Sequence, residues 1–192
     1  MAKVTGPLFS LSASGQLAKT LVYMKWKGIQ DVRKYVVPAN PNSALQVIQR
    51  GYFHTTIDLW HSTVWNALDK VAWNLLASVQ DSVLSGFNTF VKLVTKAKVE
   101  VHTFLPIYGM VVSAVDDQGF VLTAAGVTGE AYTCYYGTTK TNLSSSTAVV
   151  NTDGVLVATL TGLAALTDYY VQIRTTTASA NAVTGIIKQR TV

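Results

Sequence analysis

The side chains best suited to metal chemistry are His54, Asp58 and His61, which are separated by four and three residues. This spacing places all three on one face of a helix, where three such ligands could hold Zn²⁺. A zinc site also needs a further ligand and acidic groups behind the histidines, and no suitable residue is spaced nearby. A cluster on the surface or at an interface is therefore the favoured interpretation, and we expect no metal.

Cys134 is the only cysteine, so an internal disulfide and a cysteine-based metal site are excluded. As a nucleophile it would need a histidine base, yet all three histidines lie within residues 1–102. Apolar residues alternate around it, which indicates a buried thiol. Asp116-Asp117 lies in a turn and offers too few oxygen ligands for Ca²⁺. There is also no Gly-x-Ser-x-Gly, P-loop or dinucleotide pattern, and we expect a non-enzymatic protein without a cofactor.

Basic and aromatic residues are interleaved within residues 19–35. The basic ones are Lys19, Lys25, Lys27, Arg33 and Lys34, and the aromatic ones are Tyr23, Trp26 and Tyr35. Such a patch can follow a nucleic-acid backbone through phosphate contacts and base stacking. It can equally dock on an acidic protein surface with Trp26 and Tyr35 as buried anchors, or be a solvated hairpin. Net charge alone does not separate these three interpretations.

The composition favours a subunit whose surface is partly covered by others. Of the 192 residues, 49% are hydrophobic and only 13% charged, which is about half the usual charged fraction. The net charge of +5 is uneven, with eleven Lys/Arg against five Asp/Glu up to His102 and four against five afterwards. The longest apolar stretches, at 105–115 and 155–166, are too short to cross a bilayer. The first residues lack the apolar run of a signal peptide, so neither secretion nor membrane insertion is expected.

The first half of the chain predicts an irregular arm, a hairpin and three helices. Residues 1–18 show no period, residues 19–37 read as two strands joined at Lys27-Gly28, and Pro38 to Pro41 form an extended strap. Three helices follow. The first carries the apolar stripe Leu45, Ile48, Tyr52 and Leu59, the second begins near Ser62 with a stripe from Trp65 to Val79, and the third begins near Ser85. We expect residues 19–101 to form one unit.

The second half, residues 102–192, predicts an all-β sandwich. Six segments with a period of two are separated by turn signals such as Asn142–Ser146 and Asn151–Gly154. The predicted strands are 110–115, 120–125, 131–136, 155–160, 169–175 and 184–190. The fold class expected for the whole chain is thus α+β in two parts, a hairpin with a short helical bundle and then a sandwich.

The segment Leu160–Arg174 resembles the E–F corner of fibronectin type III domains. In that pattern Gly-Leu precedes a short loop and a tyrosine begins strand F, which places Leu163 and Tyr169 at the corner. Tyr132–Gly137 is similar to strand C, whereas the tryptophan of strand B is missing, with Leu122 or Thr123 in its place. The resemblance covers residues 107–192 and implies an immunoglobulin-like sandwich, but it says little of function.

Residues 15–98 resemble a recurrent layout in small structural proteins of tailed bacteriophages. The motifs are Gly15–Tyr23, Trp26-Lys-Gly28, Val32-Arg33, Tyr35–Pro41, Trp73-Asn74 and Ser85–Phe90. The resemblance implies a virion component made in the host cytoplasm and present in repeated copies, with other virion proteins as partners.

The function expected from these observations is a structural capsid, neck or tail protein that docks through its N-terminal half. The residues expected to pack or dock are Trp26, Tyr35, Pro38, Pro41, Trp60, Trp65 and Trp73. Two alternatives stay open. One is a nucleic-acid- or protein-binding module that uses the basic half, and the other is host-surface adhesion through the sandwich loops.

Overall fold

A computed structural model describes residues 2–3, 14–27, 29–37, 39, 42–80, 84–177 and 180–192. The chain divides into two compact units, residues 1–43 and residues 44–192. The three helices therefore belong with the sandwich and not with the hairpin, and the boundary lies after residue 43 rather than after residue 101.

The first unit contains a four-stranded antiparallel sheet in the order β1-β4-β3-β2. Its strands are β1 (Ala2–Lys3), β2 (Gly15–Leu17), β3 (Leu21–Trp26) and β4 (Ile29–Lys34). The β3–β4 hairpin agrees with the sequence prediction, with Trp26 opposite Ile29. The prediction of an irregular arm at 1–18 is wrong where the structure describes it, because β1 and β2 are the edge strands. Such short strands pair through main-chain groups and leave no readable side-chain period. Gly28, Pro38 and Pro41 lie outside the described residues.

Three helices open the second unit: α1 (Ala44–Ser62), α2 (Ala67–Val79) and α3 (Gly86–Val99). Helix α2 begins later than the expected Ser62 because Asn66 caps it. The Asn66 side-chain oxygen accepts from the Asp69 N–H at 2.7 Å, and the Asp69 carboxylate accepts from the Asn66 N–H at 2.9 Å. Ser85 caps α3 as its position predicts, through an N–H···O bond of 3.3 Å from Asn88.

Two four-stranded antiparallel sheets then form the sandwich, in the orders β10-β11-β7-β6 and β14-β12-β8-β9. The strands from β5 to β9 are Thr103–Phe104, Tyr108–Ser113, Phe120–Ala125, Tyr132–Gly137 and Ser145–Ala148. Those from β10 to β14 are Val150–Thr152, Val155–Leu160, Asp168–Thr175, Ala180–Asn181 and Ile187–Arg190. Strands β5 and β13 form a separate parallel pair. This order is that of a fibronectin type III-like sandwich, and the α+β fold class is confirmed.

Alternate residues of both sheets fill the sandwich core. Leu122, Cys134, Leu156, Val171 and Ile173 are fully buried there. All six predicted strands are present, with shifted ends in four of them. Strands β9 and β10 were not predicted, because their Ser/Thr-rich sequence reads as a turn and buries almost nothing.

Helix α2 is hydrogen-bonded directly to the sandwich. The buried Asp69 carboxylate accepts from the N–H groups of Gly109 and Met110 at 2.8 and 3.0 Å. Asn66 donates its side-chain N–H to the Met110 carbonyl at 2.7 Å. These bonds satisfy the backbone at the start of β6, where the chain enters the sheet. The helices therefore complete the sandwich.

The second attachment between α2 and the sandwich lies at residues 185 and 186. The Ile186 N–H donates to the Ala72 carbonyl at 3.0 Å, which brings the backbone before β14 against α2. A Cβ on Gly185 would lie 2.2 Å from the Ala72 carbonyl carbon, so no larger residue fits without movement. Direct backbone contact at this point is the physical reason why residues 44–192 form one unit.

Candidate docking surfaces

Three of the four tryptophans form an aromatic cluster between the helices. Phe90 lies at its centre, 5.1 Å from Trp60, 5.5 Å from Trp65 and 5.3 Å from Trp73 between ring centroids. The Trp65 indole N–H donates to the Trp60 carbonyl at 2.8 Å. Trp73 is 1% exposed, while the other two are half-buried. Trp73 therefore packs inside the chain, and it is not available to a partner.

Helix α1 is packed along only part of its length. Thr56 is buried, Trp60 belongs to the aromatic cluster, and Leu59 packs against the hydrophobic cluster that includes Trp73 and Phe90. The same apolar stripe continues towards the N-terminus, where Leu45 and Ile48 are 76% and 46% exposed. The helical stripe predicted from the sequence is present, but only its C-terminal part, with Leu59, is packed against other elements. The first half of the helix extends beyond the elements that cover its second half.

The exposed part of α1 belongs to a longer stretch of exposed or half-buried side chains, residues 14–55, which we call the coreless segment. Among the side chains that the structure describes in this segment, none is buried; Thr56 is the first that is. The segment nevertheless contains three strands and the first three turns of α1. Its exposed large apolar residues are Leu17, Leu21, Ile29, Val36, Val37, Leu45, Val47, Ile48 and Phe53. Regular backbone structure here coexists with apolar surface that no described element covers.

The basic patch predicted from the sequence is spread over the hairpin. Cross-strand pairing puts Lys34 opposite Leu21 and Arg33 opposite Val22, so neighbouring positions place these two cations on opposite faces. Lys25 shares the face of Lys34, whereas Lys19 and Lys27 lie in the turns, both with positive φ. The five cations therefore do not lie along one face of the hairpin.

A groove of about 490 Å³ lies on the N-terminal sheet. It is lined by Gly15, Gln16, Val22, Arg33, Lys34, Tyr35 and Val36. Tyr35, one of the two expected anchors, is half-buried, and its N–H donates to the Thr20 carbonyl at 2.7 Å. Trp26, the other, ends β3; its side chain, like Pro38 and Pro41, lies outside what the structure describes. The groove combines apolar walls with two cations.

The residues considered for metal chemistry form only an exposed ion pair. His54 Nδ1 lies 2.7 Å from Asp58 Oδ2, with the two side chains 79% and 61% exposed. No group of three possible ligands occurs among the described residues. Within the same residues no helix has the length and apolar character needed to cross a membrane.

Cys134 is fully buried among the core residues of the sandwich. Burial raises the pKa of its thiol to about 12, because a thiolate would lose its hydration there. A nucleophilic cysteine needs the opposite shift. The environment is that of a structural thiol.

The corner residues lie where the fibronectin type III pattern puts them. The Tyr169 hydroxyl accepts from the Ala164 N–H at 2.9 Å, five residues upstream, and Leu163 is buried in the sandwich core. This bond holds the loop before β12 against the sheet. The corner therefore has a structural part in the fold.

Sequence reasoning missed two residues that join α2 to the sandwich, Asp69 and Gly185. Asp69 does stand three residues after Asn66, the spacing of a capping box, but its bonds to β6 are between residues about 40 positions apart. Gly185 has no local signal at all.

No protein-family model and no curated protein matches this sequence. Among solved structures, a redesigned β-sandwich protein is 22% identical with a TM-score of 0.37, covering 45% of this chain and 93% of its own. A human fibronectin type III domain solved in solution is 18% identical with a TM-score of 0.35, covering 58% and 86%. The fold assignment rests on the strand order and register described above, not on these two likenesses.

Proposed function

We propose that this chain is a non-enzymatic structural component of a tailed-phage virion, which fastens to neighbouring subunits through its N-terminal part. The observation that carries the proposal is the coreless segment. Nine of its large apolar side chains are exposed to solvent, seven on the strands and helical turns and two, Val36 and Val37, between β4 and α1. The resemblance of residues 15–98 to phage structural proteins supports the same role. The sandwich then projects from the docking site or bridges to a further subunit.

Such strands and helical turns are only weakly stable in isolation. A strand or helix is held mainly by the burial of its apolar face, and short helices and single sheet layers are marginal in water. Full burial of one large apolar side chain contributes about 1.5–3 kcal/mol. A partner surface that covers several of these nine side chains contributes free energy of burial. That contribution offsets the conformational entropy that the segment loses when it becomes ordered. Docking and folding of residues 14–55 are therefore coupled in this proposal.

Charge indicates the character of the partner. Residues 1–43 hold six Lys/Arg and one Asp, which gives +5, while residues 44–192 hold nine of each sign and are neutral. The whole net charge of the protein thus belongs to the first unit, and an acidic partner surface complements it. The cations occupy both sheet faces and the turns, which favours a protein that surrounds the hairpin over a nucleic-acid backbone that follows one face.

The test is incorporation into particles. Tagged chains are supplied in trans during infection, and gradient-purified particles are analysed by quantitative mass spectrometry. Deletion of residues 1–43, and separately Leu45→Asp with Ile48→Asp, should each reduce incorporation at least about tenfold, since a charge on the stripe prevents its burial. Val64→Asp is the matched control, because Val64 is 78% exposed and lies outside the coreless segment.

Circular dichroism with thermal unfolding must show that each variant keeps the sandwich. Undiminished incorporation of the folded deletion variant would overturn the docking role. DNA binding by the full chain that falls steeply between low and physiological salt would favour the nucleic-acid module instead.

A further inference from the structure

A pocket of about 320 Å³ lies between the last two turns of α3 and strands β5, β12 and β13. This volume falls at the lower end of the range of about 300–1,000 Å³ that is usual for small-ligand pockets. Ala97, Phe104 and Ala182 line the pocket, and each of them is at least nine-tenths buried. The pocket therefore has apolar walls that belong to the packed part of the chain.

The polar part of the lining carries a net positive charge. Lys96 and Arg174 are present with one carboxylate, Glu100, and the half-buried Asn181 adds an amide. Lys96 and Glu100 form an ion pair of 3.7 Å, with side chains 68% and 47% exposed. An ion pair so exposed is weak, so Lys96 can turn towards a ligand. The lining thus favours an anionic group.

Arg174 is held in place although it is exposed. Its Nε–H donates to the Gln172 side-chain oxygen at 2.8 Å, and its guanidinium lies over the Tyr135 ring, 4.9 Å from the centroid. Gln172 is only 2% exposed, and its side-chain N–H donates to the Thr184 carbonyl at 2.8 Å. A free arginine side chain loses rotamer freedom when it binds a ligand, and these contacts have already removed much of that freedom.

The two terminal nitrogens of Arg174 have no acceptor among the described residues. Their N–H groups form a planar fork that matches the two oxygens of a carboxylate. We propose that this pocket binds a carboxylate carried on a small apolar group. The carboxylate lies on the Arg174 fork, within reach of the Asn181 amide, and the apolar group packs against Phe104 and Ala97.

Two sources present this chemistry, a free organic acid and the C-terminal residue of a peptide with an apolar side chain. One bidentate bond and one small buried group give a dissociation constant on the order of 1 mM. The inference does not depend on the proposed N-terminal docking, because the whole lining belongs to residues 44–192.

Nuclear magnetic resonance titration of the full chain tests the proposal, with amide shifts followed up to about 20 mM probe. The probes are 3-phenylpropionate and N-acetyl-alanyl-phenylalanine with a free carboxylate. Both should produce saturable shifts at Ala97, Arg174 and Asn181. The neutral amide of 3-phenylpropionate should bind at least about tenfold more weakly, because it offers the fork no charged acceptor.

Variants separate the fork from the charge. Arg174→Met should weaken binding of both probes at least about tenfold, and Arg174→Lys should weaken it about three- to tenfold, since lysine keeps the charge without the fork. Glu100→Gln should tighten binding about two- to threefold by removing a like charge. Arg190→Met is the matched control, because Arg190 is an exposed arginine of β14 outside the pocket, and it should bind like the natural chain.

The two probes also identify the source. Tighter binding of the peptide supports a partner's C-terminus, and equal or tighter binding of 3-phenylpropionate supports a free acid. The proposal is overturned if neither probe gives saturable shifts. It is equally overturned if Arg174→Met, shown by circular dichroism to be folded, binds both probes like the natural chain. Either result leaves the docking proposal standing, since particle incorporation is a separate readout.

Discussion

Residues 14–55 and residues 56–192 differ in how their secondary structure is supported. In the second stretch, sheets and helices bury one side against each other, down to the backbone contact between residues 72 and 186. In the first, strands and helical turns of ordinary geometry bury none of the side chains that the structure describes. Backbone hydrogen bonding alone thus does not identify a self-sufficient domain. We propose that burial distinguishes the part of the chain that folds by itself from the part that needs a partner.

The largest effect is expected for a substitution of Asp69, which bonds α2 to the sandwich. Asp69→Ala removes the acceptor of the Asn66, Gly109 and Met110 N–H groups, and buried donors without partners are costly. We expect a loss of about 3–5 kcal/mol in the free energy of unfolding, measured by urea denaturation. The transition should remain single, since helices and sandwich unfold together.

Asp58→Ala is the control, because Asp58 is 61% exposed and its ion pair is with His54 on the surface of the same helix. It should change stability by less than about 1 kcal/mol. A loss below 1 kcal/mol for Asp69→Ala, or a separate helical transition, would show that the helices are a distinct unit.

Two glycine-to-alanine substitutions, one in each stretch, should change the stability of the protein in opposite directions. Gly185→Ala places a methyl group against the α2 backbone and should cost about 2–3 kcal/mol. Gly51→Ala lies in α1 within the coreless segment, where no atom approaches within 4 Å of the new methyl group. It should raise helix content and stability by about 0.5–1 kcal/mol. Thermal unfolding followed by circular dichroism measures both, and destabilisation by Gly51→Ala would mean that this face of α1 is already covered.

A further prediction concerns the pH dependence of the sandwich core. The folded-state pKa of Cys134 is raised to about 12, above the value of 9.0 of an exposed thiol. Below pH 9 both states hold the proton, and above it only the unfolded state loses it. Stability should therefore fall between pH 9 and pH 12 by up to about 1.4 kcal/mol per pH unit. Cys134→Ala should lack this component, so equal slopes for the two proteins in urea titrations at pH 8–10 would contradict the burial.

Sequence patterns predicted those parts of the molecule that depend on neighbours in the chain. The period of two predicted the strands at 120–125 and 155–160 with the correct first and last residues, and Ser85 marked the start of α3. The fibronectin type III pattern located Leu163 and Tyr169, because the corner is a local motif.

Features that depend on distant residues were not predictable. Asp69 stands at a capping position and Gly185 lies within the predicted strand 184–190, and no neighbour in the chain shows that both residues join α2 to the sandwich. The domain boundary was misplaced for the same reason, since a composition change after residue 101 does not reveal a helix bonded to a strand. The exposure of Leu45 was also not predictable, because a lightly charged sequence does not show whether an apolar residue faces a core or solvent.

Hydrogen exchange followed by mass spectrometry tests the central claim most directly, on the free chain and on the chain within purified particles. The account predicts that amides of residues 14–55 exchange rapidly in the free chain while those of β7, β8, β11 and β12 are protected. In particles, residues 14–55 should become protected by at least about a hundredfold, because docking supplies their core. Strong protection of residues 14–55 already in the free chain, unchanged in particles, would contradict the account and show that the segment has a core of its own.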